Sequence, residues 1–253
     1  MNDSVQVIPF ANLALAFIPV LVVIVILYKW SLNSRNAFYA IFRMLAQLLL
    51  VGYFLTYIFE SDRAWIVILV LAIMIFASSW IALRTIKIKR RPLYKKSLYS
   101  IMIGGGFTLV LITQGVLELY PWYWPRYMIP LAGMIFASAM NSVSLAAERF
   151  VAEIERDVVY EKARRIALRA SLIPITNTLF AVGIVSLPGM MTGQILSGVS
   201  PLIAARYQIM VMCMIFGAAG ISSACFLWFI KKGDGPEEAD LLPHCSQDHS
   251  EKM

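Results

Sequence analysis

The sequence predicts an all-α protein, a polytopic membrane bundle of about seven transmembrane helices, from three observations. Of the 253 residues, 60% are hydrophobic and only 15% are charged, whereas a soluble domain carries roughly a quarter of its residues as charge. The apolar residues are grouped in blocks of about twenty, the length that a helix needs to cross a bilayer. Basic residues are concentrated in alternate connections between these blocks, which is typical of a chain that crosses a membrane repeatedly.

The membrane domain is predicted to occupy residues 1–232. No basic residue precedes the first apolar block and Lys29 follows it. A cleavable signal peptide has the opposite order, so this block is predicted to be the first span. Charge, proline or aromatic clusters separate each block from the next. The predicted spans are 10–28, 38–59, 64–83, 98–119, 127–147, 171–187 and 206–230.

The basic residues predict the orientation of the chain. Asp3 is the one charged residue before the first span, whereas the connection at 84–96 contains seven Lys or Arg residues and no acid. The short turn at 60–63 is slightly acidic, and the turn at 120–125 is rich in tryptophan and tyrosine, as expected of an outer interface. We therefore expect a multi-pass protein of the cell membrane with its N-terminus outside and its C-terminus in the cytosol. The polar segment 233–253 is predicted to be a disordered cytosolic tail.

The sequence lacks the residues that several functional classes of protein need. The chain has no P-loop motif, so we expect no ATP hydrolysis, no catalytic site and no cofactor bound by this chain itself. Its three cysteines show no metal-binding spacing, and both histidines lie in the polar tail, so no metal site is predicted. The net charge of +7 is attributed to membrane topology and contact with lipid, not to nucleic acid.

Arg43 and Gln47 are the first candidates for a translocation pathway. They lie one helical turn apart on the same face of the second span. Arg43 either faces the interior of the bundle or extends its side chain to the cytosolic interface, and the two interpretations are equally favoured. No Asp or Glu lies at the centre of a predicted span. This argues against a carrier driven by protons or sodium, because such carriers usually use buried carboxylates.

The fifth predicted span is rich in small and polar residues. Ser138 and Ser142 form a small-xxx-small pair, and Asn141 can form hydrogen bonds across a helix contact. Close helix packing is favoured over the lining of a substrate path. The same interpretation applies to the three glycines at 104–106.

A helix break is predicted at Pro188 and Gly189, in a segment that continues through Gly193. Irregular backbone at membrane depth is tolerated where protein or a water-filled cavity surrounds it, so the segment is either a gate or a plain loop. Met190 and Met191 follow the break. Thioethers can bind soft metal ions, but packing is the favoured role.

The connection at 148–169 contains five acids and six bases. Its apolar positions recur with helical spacing, which predicts an amphipathic cytosolic helix leading into the sixth span. Such a helix is either a docking surface for a partner or a solvated helix end. The candidates for docking are Glu153, Glu155, Arg156, Glu161, Ala163, Arg164 and Arg165.

Four segments, matched in order over most of the chain, carry a family resemblance. They are residues 43–55, 129–134, 182–193 and 200–208. The sequence resembles the FetB/YbbM-type iron-export permeases of the ATP-binding-cassette class, a family that includes a plant branch linked to aluminium tolerance. The segment from Ser186 to Gly193 is its most specific part. Gln208 ends the last matching segment and is a further pathway candidate.

The resemblance implies a permease subunit powered by a separate cytosolic ATPase of the FetA type, which would bind ATP and Mg. Two permeases and two ATPases would form the working unit, and iron or another metal ion would be exported. The sequence departs from the family pattern in a shorter cytosolic loop, where only Glu161–Ala163 resembles a coupling motif. Asn177 and Phe180 stand where the family has Asp and Lys, which fits an ion pair that was lost as a unit.

Two alternatives remain open at this level. A self-sufficient ion carrier or channel would need a polar file through the bundle, and its candidates are Arg43, Gln47, Asn141 and Asn177. A membrane assembly factor would involve no transport. In that case Pro188→Ala or Gly189→Leu would disturb partner levels without changing metal tolerance.

Overall fold

The described part of the chain is almost entirely helical. A computed structural model describes residues 9–32, 34–59, 63–84, 86 and 90–231. The predicted tail at 233–253, the acids at 60 and 62 and the bases at 87 and 89 lie outside the described residues. The predicted all-α class is confirmed. The helices are α1 Phe10–Leu15, α2 Ile18–Lys29, α3 Ser34–Phe59, α4 Ala64–Ala82, α5 Arg90–Val110 with a π-helical extension Leu111–Val116, α6 Pro125–Ile154, α7 Tyr160–Ala181, α8 Gly189–Leu196 and α9 Pro201–Lys231.

Six helical segments in the described residues are long and apolar enough to cross a membrane, which confirms the predicted multi-pass architecture. They are Asn12–Lys29, Ser34–Phe59, Ala64–Ala82, Pro92–Val116, Pro125–Ile154 and Pro201–Ile230. The remaining predicted span, 171–187, overlaps the apolar second half of α7. Its predicted end is wrong, because α7 ends at Ala181 and residues 182–187 are not helical. The first half of α7 is charged, so composition alone does not mark this helix as a span.

The chain folds into two compact units. One contains α1–α3 and residues 196–198, and the other contains the remainder of α4–α9. In the first unit α2 packs against α3, and neither helix has a buried side chain among its described residues. A turn at Ala16 and Phe17 separates α1 from α2, and Pro19 lies in the first turn of α2. Proline tolerates that position because the first amides of a helix have no partner within it.

In the second unit α6 is the central helix. It packs against α4, α5, α7 and α9, and α5 also packs against α9. Ile101, Ile135 and Phe226 are fully buried where these helices meet. Glycine permits the close approach of α5 and α9, since a Cβ placed on Gly104 would lie 2.6 Å from the backbone nitrogen of Ser222. The predicted packing role of the glycines at 104–106 agrees with this geometry at Gly104.

The path of α7 through this unit follows from its two ends. At its start, the Tyr160 hydroxyl donates a 2.7 Å hydrogen bond to the carbonyl of Leu227, near the end of α9. Beyond its other end, Met190 of α8 lines the same cavity as Arg126 and Tyr127, at the beginning of α6. The 22 residues of α7 span about 33 Å as a helix. The chain from α7 to α8 therefore runs from one end of this unit to the other.

Candidate translocation site and docking surface

A cavity of about 350 Å³ lies among the beginnings of α6, α8 and α9 and the end of the π-helical extension of α5. The π-helical turn closes with hydrogen bonds from Leu117 N to the Ile112 carbonyl and from Leu119 N to the Thr113 carbonyl. The predicted topology places this cavity, called the outer cavity below, at the outer side of the membrane. Its lining residues are Leu117, Arg126, Tyr127, Pro130, Leu131, Met134, Met190, Tyr207 and Met210.

The lining combines one cation with apolar and aromatic groups. Arg126 lies in the first turn of α6, and Tyr127 beside it packs against Trp124 with ring centroids 5.3 Å apart. Pro130 and Met134 continue the same face of α6, because residues four apart on a helix lie above one another. Tyr207 and Met210 occupy one face of α9 in the same way.

The predicted helix break lies next to this cavity. After α7 ends, Val182 and Ser186 form an isolated bridge, and Gly183 adopts a φ of 83°. Glycine tolerates that positive φ, which strains other residues. Pro188 then precedes α8, and Gly189 is the first residue of this helix. The break thus starts a short helix whose second residue, Met190, enters the wall of the outer cavity.

Other pathway candidates occupy different environments. Ser138 is half-buried, and its hydroxyl donates a 3.0 Å hydrogen bond to the carbonyl of Ile215, which joins α6 to α9. Gln208 is buried, and among the described residues its side-chain oxygen has no hydrogen-bond partner. Met191 is half-buried on α8, whereas Asn141 on α6 and Asn177 on α7 are exposed. The structure therefore does not gather these polar side chains into one file within this unit. Gly193 lies on α8.

Arg43 and Gln47 belong to the other unit. Both lie on α3, one helical turn apart, and the helix has no buried residue in its described part. No carboxylate of the described residues forms an ion pair with the Arg43 side chain.

The elbow between α6 and α7, residues 153–160, is ordered by an ion cluster and a tyrosine. The buried carboxylate of Glu153 pairs with Arg149 at 2.5 Å and with Arg156 at 3.7 Å. Tyr160 packs edge to face against Phe150 of α6, with ring centroids 5.7 Å apart, and bonds to the carbonyl of Leu227. The elbow is therefore attached to both α6 and α9.

The docking candidates on this elbow and on α7 are divided between inward and outward positions. Ala163 is fully buried and forms part of the inner face of α7. Glu161 pairs with Arg164 at 2.9 Å, and Arg165 is exposed. Glu155 and Arg156 are exposed at the end of α6. The polar face of the predicted amphipathic helix is thus accessible, while its alanine face is not.

Sequence reasoning missed most of the outer cavity. In the sequence, Arg126 is a single charge beside an aromatic turn, and Met210 is one of many methionines. The detectable signal is the spacing of Arg126, Pro130 and Met134 on one face of α6. The spacing of Tyr207 and Met210 on α9 is a second such signal. Neither pattern tells which helices meet at that face.

The sequence pattern of one protein family matches most of the chain, over residues 10–159 and 155–233. That family is described as an uncharacterised protein family, UPF0014. The chain belongs to the UPF0014 family. The predicted resemblance is confirmed, because the relatives of this UPF0014 chain include both a protein of the iron-export type and a plant protein whose name refers to aluminium.

Three relatives illustrate how far the similarity extends. "Probable iron export permease protein FetB" of Escherichia coli is 35% identical over 239 residues, which are 87% of this chain and 90% of that protein. "UPF0014 membrane protein slr1647" of Synechocystis is 41% identical over 192 residues, 68% of this chain and 73% of that protein. "Protein ALUMINUM SENSITIVE 3" of Arabidopsis thaliana is 32% identical over 227 residues, 83% of this chain and 81% of that protein. No solved structure matches this UPF0014 chain.

Proposed function

We propose that this chain is the permease subunit of an ATP-binding-cassette exporter in the cell membrane, and that it carries iron or another metal ion. The observation that carries the proposal is the similarity to a protein named as a probable iron export permease, which extends over 87% of this chain. Because the sequence contains no P-loop, a separate cytosolic ATPase would bind ATP and Mg. A second copy of the permease would complete the working unit.

The elbow between α6 and α7 is the part of the chain that is suited to bind a cytosolic ATPase. It lies on the predicted cytosolic side, and Val159 at its tip is 74% exposed. An exposed apolar side chain surrounded by charged groups is a suitable anchor for a partner. The bonds of the elbow to α6 and α9 would transmit a push from the ATPase to the helices around the outer cavity.

The experiment compares two valines at opposite ends of α7. Val159→Asp is expected to abolish co-purification with a P-loop ATPase, because a carboxylate would replace the apolar anchor. Val185→Asp is the matched control, since Val185 is also exposed, at 81%, but lies on the predicted outer side. Its co-purification is expected to be unchanged. Equal losses in both variants would contradict docking at the elbow.

Reconstitution tests the source of energy. Proteoliposomes that contain the permease and the ATPase are expected to move radioactive iron only with ATP and Mg. If the permease alone moved iron at the same rate, the chain would be a self-sufficient carrier or channel. If neither preparation moved iron or another metal ion while co-purification persisted, an assembly role would replace the proposal.

A further inference from the structure

The outer cavity lacks the ligands that a bare hard cation prefers. Ions such as iron(III) favour several oxygen ligands, above all carboxylates and water. None of the nine lining residues is Asp, Glu, His or Cys. The two phenols, Tyr127 and Tyr207, supply too few oxygens to enclose such an ion.

The charge of the cavity points to an anion. Arg126 contributes a guanidinium, and it does so in the first turn of α6, where the helix dipole is itself positive. In the part of the chain that the structure describes, no carboxylate forms an ion pair with Arg126. The guanidinium of Arg126 and the positive end of the α6 dipole therefore lie in the same wall of the cavity, and no carboxylate of the described residues pairs with this arginine.

The rest of the lining suits the body of an organic molecule. Leu117, Leu131 and the three methionines are apolar, and thioether side chains adapt to irregular shapes. The two tyrosine rings can stack on an aromatic ligand, and their hydroxyls can donate hydrogen bonds to it. A volume of about 350 Å³ is comparable to that of sites that bind small molecules. The cavity is open on one side, where Arg126, Tyr127 and Pro130 are exposed.

We propose that the outer cavity binds a small organic anion with an apolar or aromatic body, of the kind that chelates metal ions. This inference rests on the proposed export function in one respect. It implies that the metal ion passes the cavity as an anionic complex with such a chelator, and not as a bare ion. Arg126 would bind the anionic oxygens, and the tyrosines and methionines would enclose the organic body.

Calorimetric titration of the purified chain in phosphatidylcholine nanodiscs tests the proposal without any ATPase. The probe is the iron(III) complex of 2,3-dihydroxybenzoate, an aromatic and anionic chelator. We expect saturable binding to the unaltered chain, and at least about tenfold weaker binding to Arg126→Gln, because a charge-assisted hydrogen bond is lost. Arg126→Lys retains the charge and is expected to bind more tightly than Arg126→Gln.

One control variant separates the cavity from general effects. Arg169→Gln removes an arginine from α7 on the predicted cytosolic side and is expected to leave binding unchanged. Met190→Leu lies in the lining and is not a control: it tests the thioether at nearly constant volume, and it is expected to weaken binding by less than about threefold. A cooperative thermal unfolding transition shows that each variant is folded. If Arg126→Gln does not fold, Tyr207→Phe provides a second variant in which weaker binding of the probe is expected.

Three kinds of result would overturn the inference. In the first, the probe fails to bind, or it binds Arg126→Gln as tightly as the unaltered chain. Silver(I), the probe for a thioether site, binds instead and loses its affinity in Met190→Leu. Phosphatidylglycerol added to the nanodiscs displaces the probe stoichiometrically, so that the cavity is a lipid site. All three leave the export proposal standing, since ATP-driven metal transport is measured separately.

Discussion

At the residue scale, the packing of α5 on α9 depends on the absence of a side chain at Gly104. A Cβ there would lie 2.6 Å from the nitrogen and 2.9 Å from the Cα of Ser222, and would also meet its hydroxyl. Backbone cannot move aside as a flexible side chain can. Gly104→Ala is therefore expected to lower the free energy of unfolding by about 1–3 kcal/mol, the usual cost of overpacking.

Gly106 provides the matched control for this substitution. It lies on the same helix two residues later, and a Cβ there would have no neighbour within 4 Å. Gly106→Ala is expected to be neutral or to stabilise the helix by up to about 1 kcal/mol, because alanine has the higher helix propensity. Thermal unfolding in one detergent measures both variants. Equal melting temperatures would show that α5 and α9 do not approach as closely as described.

A second residue-scale feature is the pair of serines that joins three helices. The Ser223 hydroxyl of α9 donates a 2.7 Å hydrogen bond to the Ser142 hydroxyl, which donates a 3.2 Å bond to the carbonyl of Ser171 on α7. Both bonds are buried. Hydrogen bonds between membrane helices stabilise a fold by about 0.6 kcal/mol on average.

Ser142→Ala is expected to cost slightly more than that average, because it removes a donor and leaves the Ser223 hydroxyl without its acceptor. Denaturant unfolding of Ser142→Ala, Ser223→Ala and the double variant forms a cycle, and we expect a coupling energy of about 0.5–1 kcal/mol. Ser144→Ala is the control, since Ser144 is on the same helix and half-buried. A coupling energy of zero would mean that the two hydroxyls do not interact.

At the scale of helices, the sequence predicted which segments form helices better than it predicted which helices pack against one another. Apolar length marks six spans, because each helix must satisfy the bilayer by itself. The helix break at Pro188 was also predicted from a local property, because proline lacks the backbone N–H that a helix interior needs. The outer cavity was not predicted, since Arg126, Met190 and Tyr207 come from three helices and nothing in one helix specifies its neighbours. The sequence also predicted that a charged cytosolic helix leads into the sixth span, and α7 contains both parts in one helix.

Tyr160 is the element-scale link between the elbow and α9. Its hydroxyl bonds to the carbonyl of Leu227 at 2.7 Å, and its ring centroid lies 5.7 Å from the guanidinium carbon of Arg164. Tyr160→Phe retains the ring and removes the hydroxyl. It is expected to lower the free energy of unfolding by about 1 kcal/mol. It is also expected to reduce transport per ATP hydrolysed, because the elbow would lose its hydrogen bond to α9 and a movement of the elbow would be passed to α9 less completely.

The ratio of iron exported to ATP hydrolysed in proteoliposomes measures this coupling. Tyr123→Phe is the matched control, because Tyr123 is half-buried in the aromatic turn on the predicted outer side, where its ring packs against Trp122. Its ratio is expected to equal that of the unaltered chain. An unchanged ratio in Tyr160→Phe would restrict this hydroxyl to a role in stability.

At the scale of the whole molecule, the proposals depend on which side each end of α7 faces. Val159 is 74% exposed at one end, Val185 is 81% exposed beyond the other, and Tyr120 in the aromatic turn is 93% exposed. Each becomes a single cysteine in a chain whose three natural cysteines are replaced by alanine. In intact cells, a membrane-impermeant maleimide is expected to label Tyr120→Cys and Val185→Cys, and to label Val159→Cys only after permeabilisation.

The physical reason for this labelling pattern is the distribution of charge along the chain. The positive-inside rule places the basic connections in the cytosol, and α7 is long enough to carry the chain from there to the level of the outer cavity. Labelling of Val159→Cys in intact cells would place the elbow outside, where no cytosolic ATPase could reach it. Labelling of Val185→Cys only after permeabilisation would instead show that α7 turns back before it crosses.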